Sequence, residues 1–186
     1  MDRIVVLGPS GAGKSTLAQK LGPQLGLNVY HLDRFFWQPN WRRKSRELRI
    51  ETLENLVWQK HWVIEGTYIK SELHLIKANA IIYLDISPFK CCLRIIKRHF
   101  ASQASPRPDI PEGSSDKLTP LCILKALFFP LRAKRKLEKK LHNFSQKVIR
   151  LHSIKEVERF LAEPERYINE LKQPLPLVVN ENVLAS

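Results

Sequence analysis

The clearest chemical pattern in this sequence lies near its N-terminus. It fits the form G-x-x-x-x-G-K-[ST] without a mismatch, and Thr16 follows it directly; its residues are Gly8, Pro9, Ser10, Gly11, Ala12, Gly13, Lys14 and Ser15. In such a loop successive backbone N–H groups turn inward and bind anions, and glycines let the backbone approach phosphate oxygens closely. We expect Lys14 to reach the β- and γ-phosphates of a nucleoside triphosphate, and the Ser15 hydroxyl to ligate Mg²⁺.

The segments on either side of the loop fit this interpretation. Residues 4–7 are a continuous apolar run, which is typical of a buried parallel strand. Three apolar residues within 17–21 recur at helical spacing, and we expect Gly22 and Pro23 to end that helix. A helix that starts near Lys14 directs the positive end of its dipole at the loop. The alternative, a chance glycine-rich turn, does not explain this strand–loop–helix context.

Three acidic residues come at the ends of further predicted strands. Asp33 is placed to accept a proton from an acceptor hydroxyl or to orient the acceptor, and the alternative is a surface turn or a helix N-cap. Glu65 occupies the usual place of the second Mg²⁺ carboxylate, and the alternative is a strand-end residue in a turn before Gly66. For Asp85 we favour a structural turn or cap, because Pro88 follows closely.

Predicted strands and helices alternate along the whole sequence. The five strands lie at 4–7, 29–32, 62–64, 80–84 and 147–151. After the first helix, further helices are predicted around Leu53 and Val57, following a basic, Trp-bearing loop, and at 89–99, 137–144 and 154–161. This alternation predicts βαβ units, a parallel sheet and one α/β domain over residues 1–172, followed by a C-terminal extension at 173–186. Ligands bind such sheets at the carboxyl ends of the strands, where the loop and the three acidic residues fall.

Four further segments occur in an order that resembles a known family. They are His31-Leu32-Asp33, WVIEGTY at 62–68, IYLD at 82–85 and RPDIPEG at 107–113. With the glycine-rich loop they resemble the bacterial DNA topology modulation family, small P-loop proteins similar to adenylate kinase and shikimate kinase, from residue 1 to about 162. The resemblance implies a three-layer P-loop NTPase fold with a five-stranded parallel sheet in the order 2-3-1-4-5. It also implies an acceptor-binding helical region at about 34–60 and a lid-like segment at about 100–120.

The resemblance also implies roles for the acidic residues. Asp33 resembles the acceptor-binding aspartate of shikimate-type kinases. Glu65 stands where these relatives usually have an aspartate before glycine, and its longer side chain departs from their pattern. Ser15, Glu65 and Asp33 together form the candidate Mg²⁺ set.

Several arginines resemble those with which such kinases hold the nucleotide. Arg94 and Arg98, four apart on one helix, resemble the pair that holds the base and phosphates in adenylate kinases. Arg107 falls in the lid-like segment, and Arg132 and Arg135 lie on the helix after it. Kinases of this type bring lid arginines to the transferring phosphoryl group, whose charge a planar guanidinium stabilises. The alternative for each arginine is a solvated helix face.

The charge of the chain indicates an anionic partner. The 186 residues carry a formal net charge of +13, and residues 90–150 hold 15 lysines and arginines against 4 acidic residues. Such a surplus suits a nucleotide, a phosphorylated metabolite, a nucleic acid or an acidic membrane surface, and the alternative is a solvated basic face. Trp37 and Trp41 lie beside the basic residues 42–44, where they could contact an acceptor, stack on single-stranded nucleic acid or clamp a helical subdomain. No helix-turn-helix, zinc-finger or basic-zipper pattern occurs.

Several classes of protein are excluded or disfavoured. The longest apolar stretch, at 121–131, contains Lys125 and Pro130 and is shorter than the about 20 residues that a membrane span needs. No secretory signal is expected, because a strand begins at once without a cleavage site. Three cysteines are too few for a disulfide framework and lack zinc-site spacing. We therefore expect a cytoplasmic protein without a membrane partner.

These patterns predict an ATP-dependent phosphotransferase that moves the γ-phosphate of Mg-ATP to a small acceptor, either a nucleotide or a hydroxylated metabolite. The alternative is a nucleotide-gated DNA-binding regulator, since the family name implies an effect on DNA supercoiling while its fold implies a kinase. Nucleic acid is the less favoured partner. The acceptor, the choice between ATP and GTP, and the oligomeric state stay open.

Overall fold

The computed structural model describes residues 2–39, 42–68, 70–101 and 133–171, with only the backbone described over 98–101. Its strands are β1 (Arg3–Leu7), β2 (Asn28–His31), β3 (Trp37–Gln38), β4 (Arg42–Arg43), β5 (Trp62–Glu65), β6 (Ala80–Leu84) and β7 (Val148–Leu151). Its α-helices are α1 (Lys14–Leu25), α2 (Leu32–Phe36), α3 (Arg46–Val57), α4 (Leu73–Lys77), α5 (Pro88–Ala101), α6 (Arg135–His142), α7 (Ile154–Ala162) and α8 (Pro164–Glu170).

Five strands form one parallel sheet with β1 at its centre. The order is β2-β5-β1-β6-β7, and every neighbouring pair is parallel. The labels differ from the predicted 2-3-1-4-5 because β3 and β4 form a separate hairpin that the sequence analysis did not predict. When only the five strands of the large sheet are numbered along the chain, their order in the sheet is 2-3-1-4-5.

Helices cover both faces of the sheet. On one face, Leu17 and Leu21 of α1 pack in one cluster with Phe160 of α7 and Ile168 of α8. A second cluster on the other face is built by α3, α4 and α6 through buried residues that include Leu53, Leu75 and Leu141. Both faces of β1 and β6 are therefore covered, which explains why residues 4–7 of β1 and the whole of β6 are continuous apolar runs. The predicted α/β class with a five-stranded parallel sheet is confirmed.

The first helix ends later than expected. Gly22 and Pro23 were predicted to end it, but α1 continues to Leu25 and stops at Gly26, whose φ is 65°. The N–H of Leu27 donates to the Gly22 carbonyl at 2.8 Å, and the N–H of Gly26 donates to the Pro23 carbonyl at 3.4 Å. This is the Schellman pairing of a glycine-capped helix end. Gly22 serves packing instead, because a Cβ there would lie 2.3 Å from Cγ2 of Val29.

The segment after β2 also differs from the prediction. The strand ends at His31 rather than at residue 32, and the short helix α2 begins at once. The basic, Trp-bearing stretch expected to be a loop contains the hairpin of β3 and β4, in which Trp37 pairs with Arg43. The Arg43 guanidinium carbon lies 5.6 Å from the centre of the Trp37 ring, a cation–π contact that favours this pairing.

The predicted domain limits stay a prediction. Most of the lid-like segment at 100–120 and the extension at 173–186 lie outside the described residues. The helix α3 confirms the predicted amphipathic helix around Leu53 and Val57 and begins after Ser45, whose hydroxyl accepts the N–H of Leu48. The helix α8 and the short helix α4 were not predicted.

Candidate functional site

The glycine-rich loop connects the central strand β1 to α1. Gly8, Gly11 and Gly13 all have positive φ angles, and Gly13 at 98° is the residue before the first turn of α1. Gly11 has a second constraint, because a Cβ there would lie 2.5 Å from the carbonyl oxygen of Cys91 on α5. The loop thus rests directly on α5, and only glycine fits this point without distortion.

Two side chains from other elements hold the loop. The Thr67 hydroxyl accepts the N–H of Gly8 at 3.2 Å and donates to the Gly8 carbonyl at 2.8 Å. From α5, Nη1 of Arg94 donates to the Ala12 carbonyl at 3.0 Å. The role of Thr67 was missed in the sequence, although it lies in the WVIEGTY segment that carries the resemblance.

Glu65 is the centre of the site. Its carboxylate is buried, with 4% of the side chain exposed, at the end of β5 beside the central strand. Ser15 Oγ donates to Oε2 at 3.3 Å, and Nζ of Lys14 lies 3.7 Å from Oε1. A buried carboxylate is costly unless charged or polar partners compensate it, and here the motif's last two residues do so. The structure therefore brings Lys14, Ser15 and Glu65 together.

His31 is a member of this cluster that the sequence analysis missed. Its Nδ1 lies 2.9 Å from Oε2 of Glu65, and both side chains are buried. The signal was available in the strand register, because His31 and Glu65 are paired last residues of the neighbouring strands β2 and β5. With Glu65 ionised, Nδ1 carries the proton, since a carboxylate only accepts.

The loop's cation is held from two directions. Lys14 Nζ donates to the Pro9 carbonyl at 3.3 Å and pairs with Glu65, and 14% of the Lys14 side chain is exposed. Ser10 within the loop and Thr16 directly after it are exposed. The ammonium is thus kept at the loop by contacts within its own motif and with β5.

Asp33 lies at the expected end of the sheet but in a different element. The sequence analysis placed Asp33 at the end of the second strand. In the structure β2 ends at His31, and Asp33 lies in the first turn of α2. Its side chain is exposed. Its roles as a metal ligand and as a group that binds or deprotonates the acceptor stay predictions.

The predicted arginines have different outcomes. Arg94 contacts the loop, as described above. Arg135 is exposed at the start of α6. The side chain of Arg98 lies outside the described residues, as do Arg107 and Arg132. Their predicted roles are therefore untested.

Asp85 belongs to a separate group of charges. Its carboxylate pairs with Lys134 and lies 3.6 Å from Nδ1 of His152, while its N–H donates to the Leu151 carbonyl. These contacts connect the ends of β6 and β7. Trp41 of the predicted aromatic–basic patch lies outside the described residues, and Trp37 is half-buried in the hairpin.

The oxygens at the centre of the site suit Mg²⁺. A hydroxyl from Ser15 and a carboxylate from Glu65 are the hard oxygen ligands that this ion prefers, and Mg²⁺ is usually bound through one or two protein groups plus water and phosphates. In the described part of the chain, no group of three or more His, Cys, Asp or Glu side chains could hold a metal by itself. The residues present therefore fit a metal that a nucleotide helps to bind.

The cysteines on α5 take no part in this chemistry. Cys91 and Cys92 are buried, and neither takes part in a disulfide among the described residues. Burial raises the pKa of the Cys91 thiol to about 11 and also raises that of Cys92. Both are thus thiols at neutral pH, and they pack the helix on which the loop rests.

No protein-family model and no curated protein matches the chain. The resemblance derived from the motifs therefore stays a prediction. In the described ranges no helix combines the length and apolar composition that crossing a membrane would need.

Proposed function

We propose that this chain binds Mg-ATP at residues 8–15 and transfers the γ-phosphoryl group to a small acceptor. The observation that carries the proposal is the convergence of Lys14, Ser15 and Glu65 at the carboxyl end of the central strands. An ammonium, a hydroxyl and a buried carboxylate, next to a loop of positive-φ glycines, are the groups that a metal-bound triphosphate requires.

Each residue has a defined part in binding. Backbone N–H groups of the loop and the N-terminus of α1 bind phosphate oxygens, and Lys14 neutralises the β- and γ-phosphates. Arg94 holds the loop through Ala12 and adds a second cation beside it. Phosphoryl transfer requires mainly this positioning and charge stabilisation, because the protein forms few covalent bonds in it.

The carboxylate side of the site orients the metal ligands. Ser15 and Glu65 would hold Mg²⁺, which would supply positive charge to offset the negative charge of the phosphates during transfer. His31 fixes the Glu65 carboxylate through the Nδ1 contact at 2.9 Å. Asp33, on the helix that begins directly after His31, would position the acceptor hydroxyl or accept its proton. The arginines of the lid-like segment would exclude water and clamp the transferred group.

A transfer assay tests the proposal. Mg-[γ-³²P]ATP is incubated with nucleoside monophosphates, nucleosides and hydroxylated metabolites, and Lys14→Ala protein is the blank. Transfer to one class of acceptor well above hydrolysis supports the kinase. Tight ATP binding without transfer to any acceptor contradicts the transfer step, while absence of ATP binding contradicts the whole proposal.

A second candidate is the nucleotide-gated DNA-binding regulator. It is favoured by α6, on which Arg135, Lys136 and Lys139 are all exposed, and by the net charge of +13. Duplex DNA affinity should then fall steeply as salt rises and should change when Mg-ATP is added. Absence of DNA binding at low salt would eliminate this candidate.

A further inference from the structure

Two large apolar side chains are exposed at the end of the sheet opposite the glycine-rich loop. Trp58, directly after α3, is 66% exposed, and Ile76 of α4 is 54% exposed. All neighbouring strands are parallel, and these residues come shortly before β5 and β6 begin at Trp62 and Ala80. They therefore lie at the amino end of the strands, whereas Glu65 and the loop lie at the carboxyl end.

Contacts between neighbouring elements hold the two side chains at one surface. Nζ of Lys77 lies 4.0 Å from the centre of the Trp58 ring, a cation–π contact that joins the end of α4 to the end of α3. Nζ of Lys147, the residue before β7, donates to the carbonyls of Ile76 and Ala78 at 3.2 and 3.1 Å. Both lysines thus fix the last turn of α4. We call this group the amino-end surface; its members are Trp58, Lys60, Ile76, Lys77 and Lys147.

The amino-end surface is basic around its apolar pair. Its three lysines are exposed or partly exposed. Two carboxylates lie at the same end of the sheet: Glu54, one turn before Trp58, is exposed, and Asp2 lies 3.3 Å from Nδ1 of His61. The lysines outnumber these two carboxylates, so the surface attracts anions.

The types of side chain at this surface favour a lipid bilayer over a nucleic acid. A nucleic acid would stack its bases on Trp58, but Lys77 already lies over one face of that ring, and Ile76 would have no role. At a bilayer, tryptophan lies at the level of the headgroups, an aliphatic side chain reaches the acyl boundary, and lysines bind anionic headgroups. A bilayer therefore uses every member of the surface.

We propose that the amino-end surface docks this protein on membranes that carry anionic lipids. The sequence analysis expected no membrane partner because no apolar stretch is long enough to span a bilayer, but a peripheral contact needs no such stretch. The contact is reversible, since a few lysines and two apolar side chains contribute far less than a spanning helix. The glycine-rich loop, at the opposite end of the strands, faces away from the bilayer, so docking and ATP binding are compatible.

Sedimentation with vesicles tests the docking surface. Nucleotide-free protein is mixed with phosphatidylcholine vesicles that contain or lack phosphatidylserine, and we expect binding only where phosphatidylserine is present. Trp58→Ala should weaken this binding about tenfold, because the indole no longer enters the interface. Lys77→Gln should weaken it about fivefold, because one cation near the anionic surface is lost. Phe89→Ala and Lys90→Gln, which remove an exposed aromatic and an exposed lysine at the opposite end, should bind like the wild type.

Brominated lipids give a readout that a purely structural role of Trp58 would not produce. Bromine on the acyl chains quenches the fluorescence of a tryptophan that enters the bilayer. Wild-type emission should therefore fall on phosphatidylserine vesicles with brominated chains. Trp58→Phe, which keeps an aromatic ring at the surface, should stay bound but lose most of that quenching. Equal quenching in wild type and Trp58→Phe would overturn the proposal.

The remaining outcomes also decide the matter. Absence of wild-type binding to phosphatidylserine vesicles, or equal affinities of wild type and Trp58→Ala, overturns the docking surface. Trp58-dependent binding of a single-stranded oligonucleotide, in a protein that does not bind vesicles, would also overturn it and assign the surface to nucleic acid. Calorimetric ATP binding should be unchanged in Trp58→Ala, so failure of the docking proposal leaves the proposed function untouched, and the reverse holds equally.

Discussion

Acidification should destabilise this protein through one buried histidine. His74 lies in α4 with 1% of its surface exposed, and its Nδ1 has no hydrogen-bond partner. Burial, and to a smaller degree the charge of Lys140, lowers its pKa from 6.5 to about 4. The neutral imidazole is therefore the form that the folded chain accommodates, while the unfolded chain takes up a proton as pH falls below 6.5.

The size of this effect follows from the two pKa values. Stability is unaffected by His74 well above pH 6.5, and it falls as pH drops from 6.5 towards 4, because the unfolded state binds more protons over that interval. Linkage gives a loss of about 2 kcal/mol at pH 5 and a limit of about 3 kcal/mol below pH 4. For a domain of this size that is a large fraction of the total stability.

Chemical denaturation between pH 7.5 and 4.5 measures this loss. His74→Leu, which keeps a buried apolar group without a titrating ring, should show a loss of stability on acidification that is smaller by about 2 kcal/mol at pH 5. His142→Gln removes an exposed histidine and should follow the wild type. Equal acid sensitivity of wild type and His74→Leu would refute the assigned burial and its pKa. Activity lost below pH 6 must be separated from this unfolding before it is assigned to a catalytic group.

Two further predictions concern the site. Gly11→Ala should destabilise the fold by about 2 kcal/mol or more, since φ is 81° and the new Cβ would meet the Cys91 carbonyl, and it should also weaken ATP binding. Gly22→Ala clashes with Val29 and should lower the free energy of unfolding by about 1–3 kcal/mol, while ATP affinity, measured by calorimetry, stays unchanged. Loss of ATP binding in both glycine variants would mean that the loop has no special role in binding ATP. His31→Phe should lower stability by about 1.5–3 kcal/mol and raise the Mg²⁺ concentration needed for ATP binding, with partial recovery in His31→Asn, whose amide can still donate. Unchanged stability and Mg²⁺ dependence in His31→Phe would contradict its orienting role.

The strands of the sheet could be predicted because their signal is local. Residues 4–7 of β1 and the whole of β6 are uninterrupted apolar runs, and a strand covered by helices on both faces needs no polar alternation. The strand–loop–helix order around Lys14 is equally local. The strand neighbours came from the resemblance, and the observed sheet agrees with them once the hairpin strands are set apart.

The features that were missed depend on contacts between distant residues. Gly22-Pro23 was predicted as a helix end from residue type alone, but the close approach of Val29 requires the glycine there. The partnership of His31 with Glu65 arises from the register of β2 and β5, which no single segment reveals. Arg49 is polar and adjoins the apolar stripe of α3, so its burial against Tyr68 appears only in the packed structure.

Calorimetric titration of the protein with Mg-ATP tests the central claim, that residues 8–15 bind a triphosphate, most directly. Lys14→Ala is the test variant, and Lys20→Ala, which removes an exposed lysine of the same helix, is the matched control. The account predicts Mg²⁺-dependent binding by wild type and Lys20→Ala, and affinity lower by about a hundredfold in Lys14→Ala. Equal affinity of the two lysine variants, or no binding by the wild type, would contradict it.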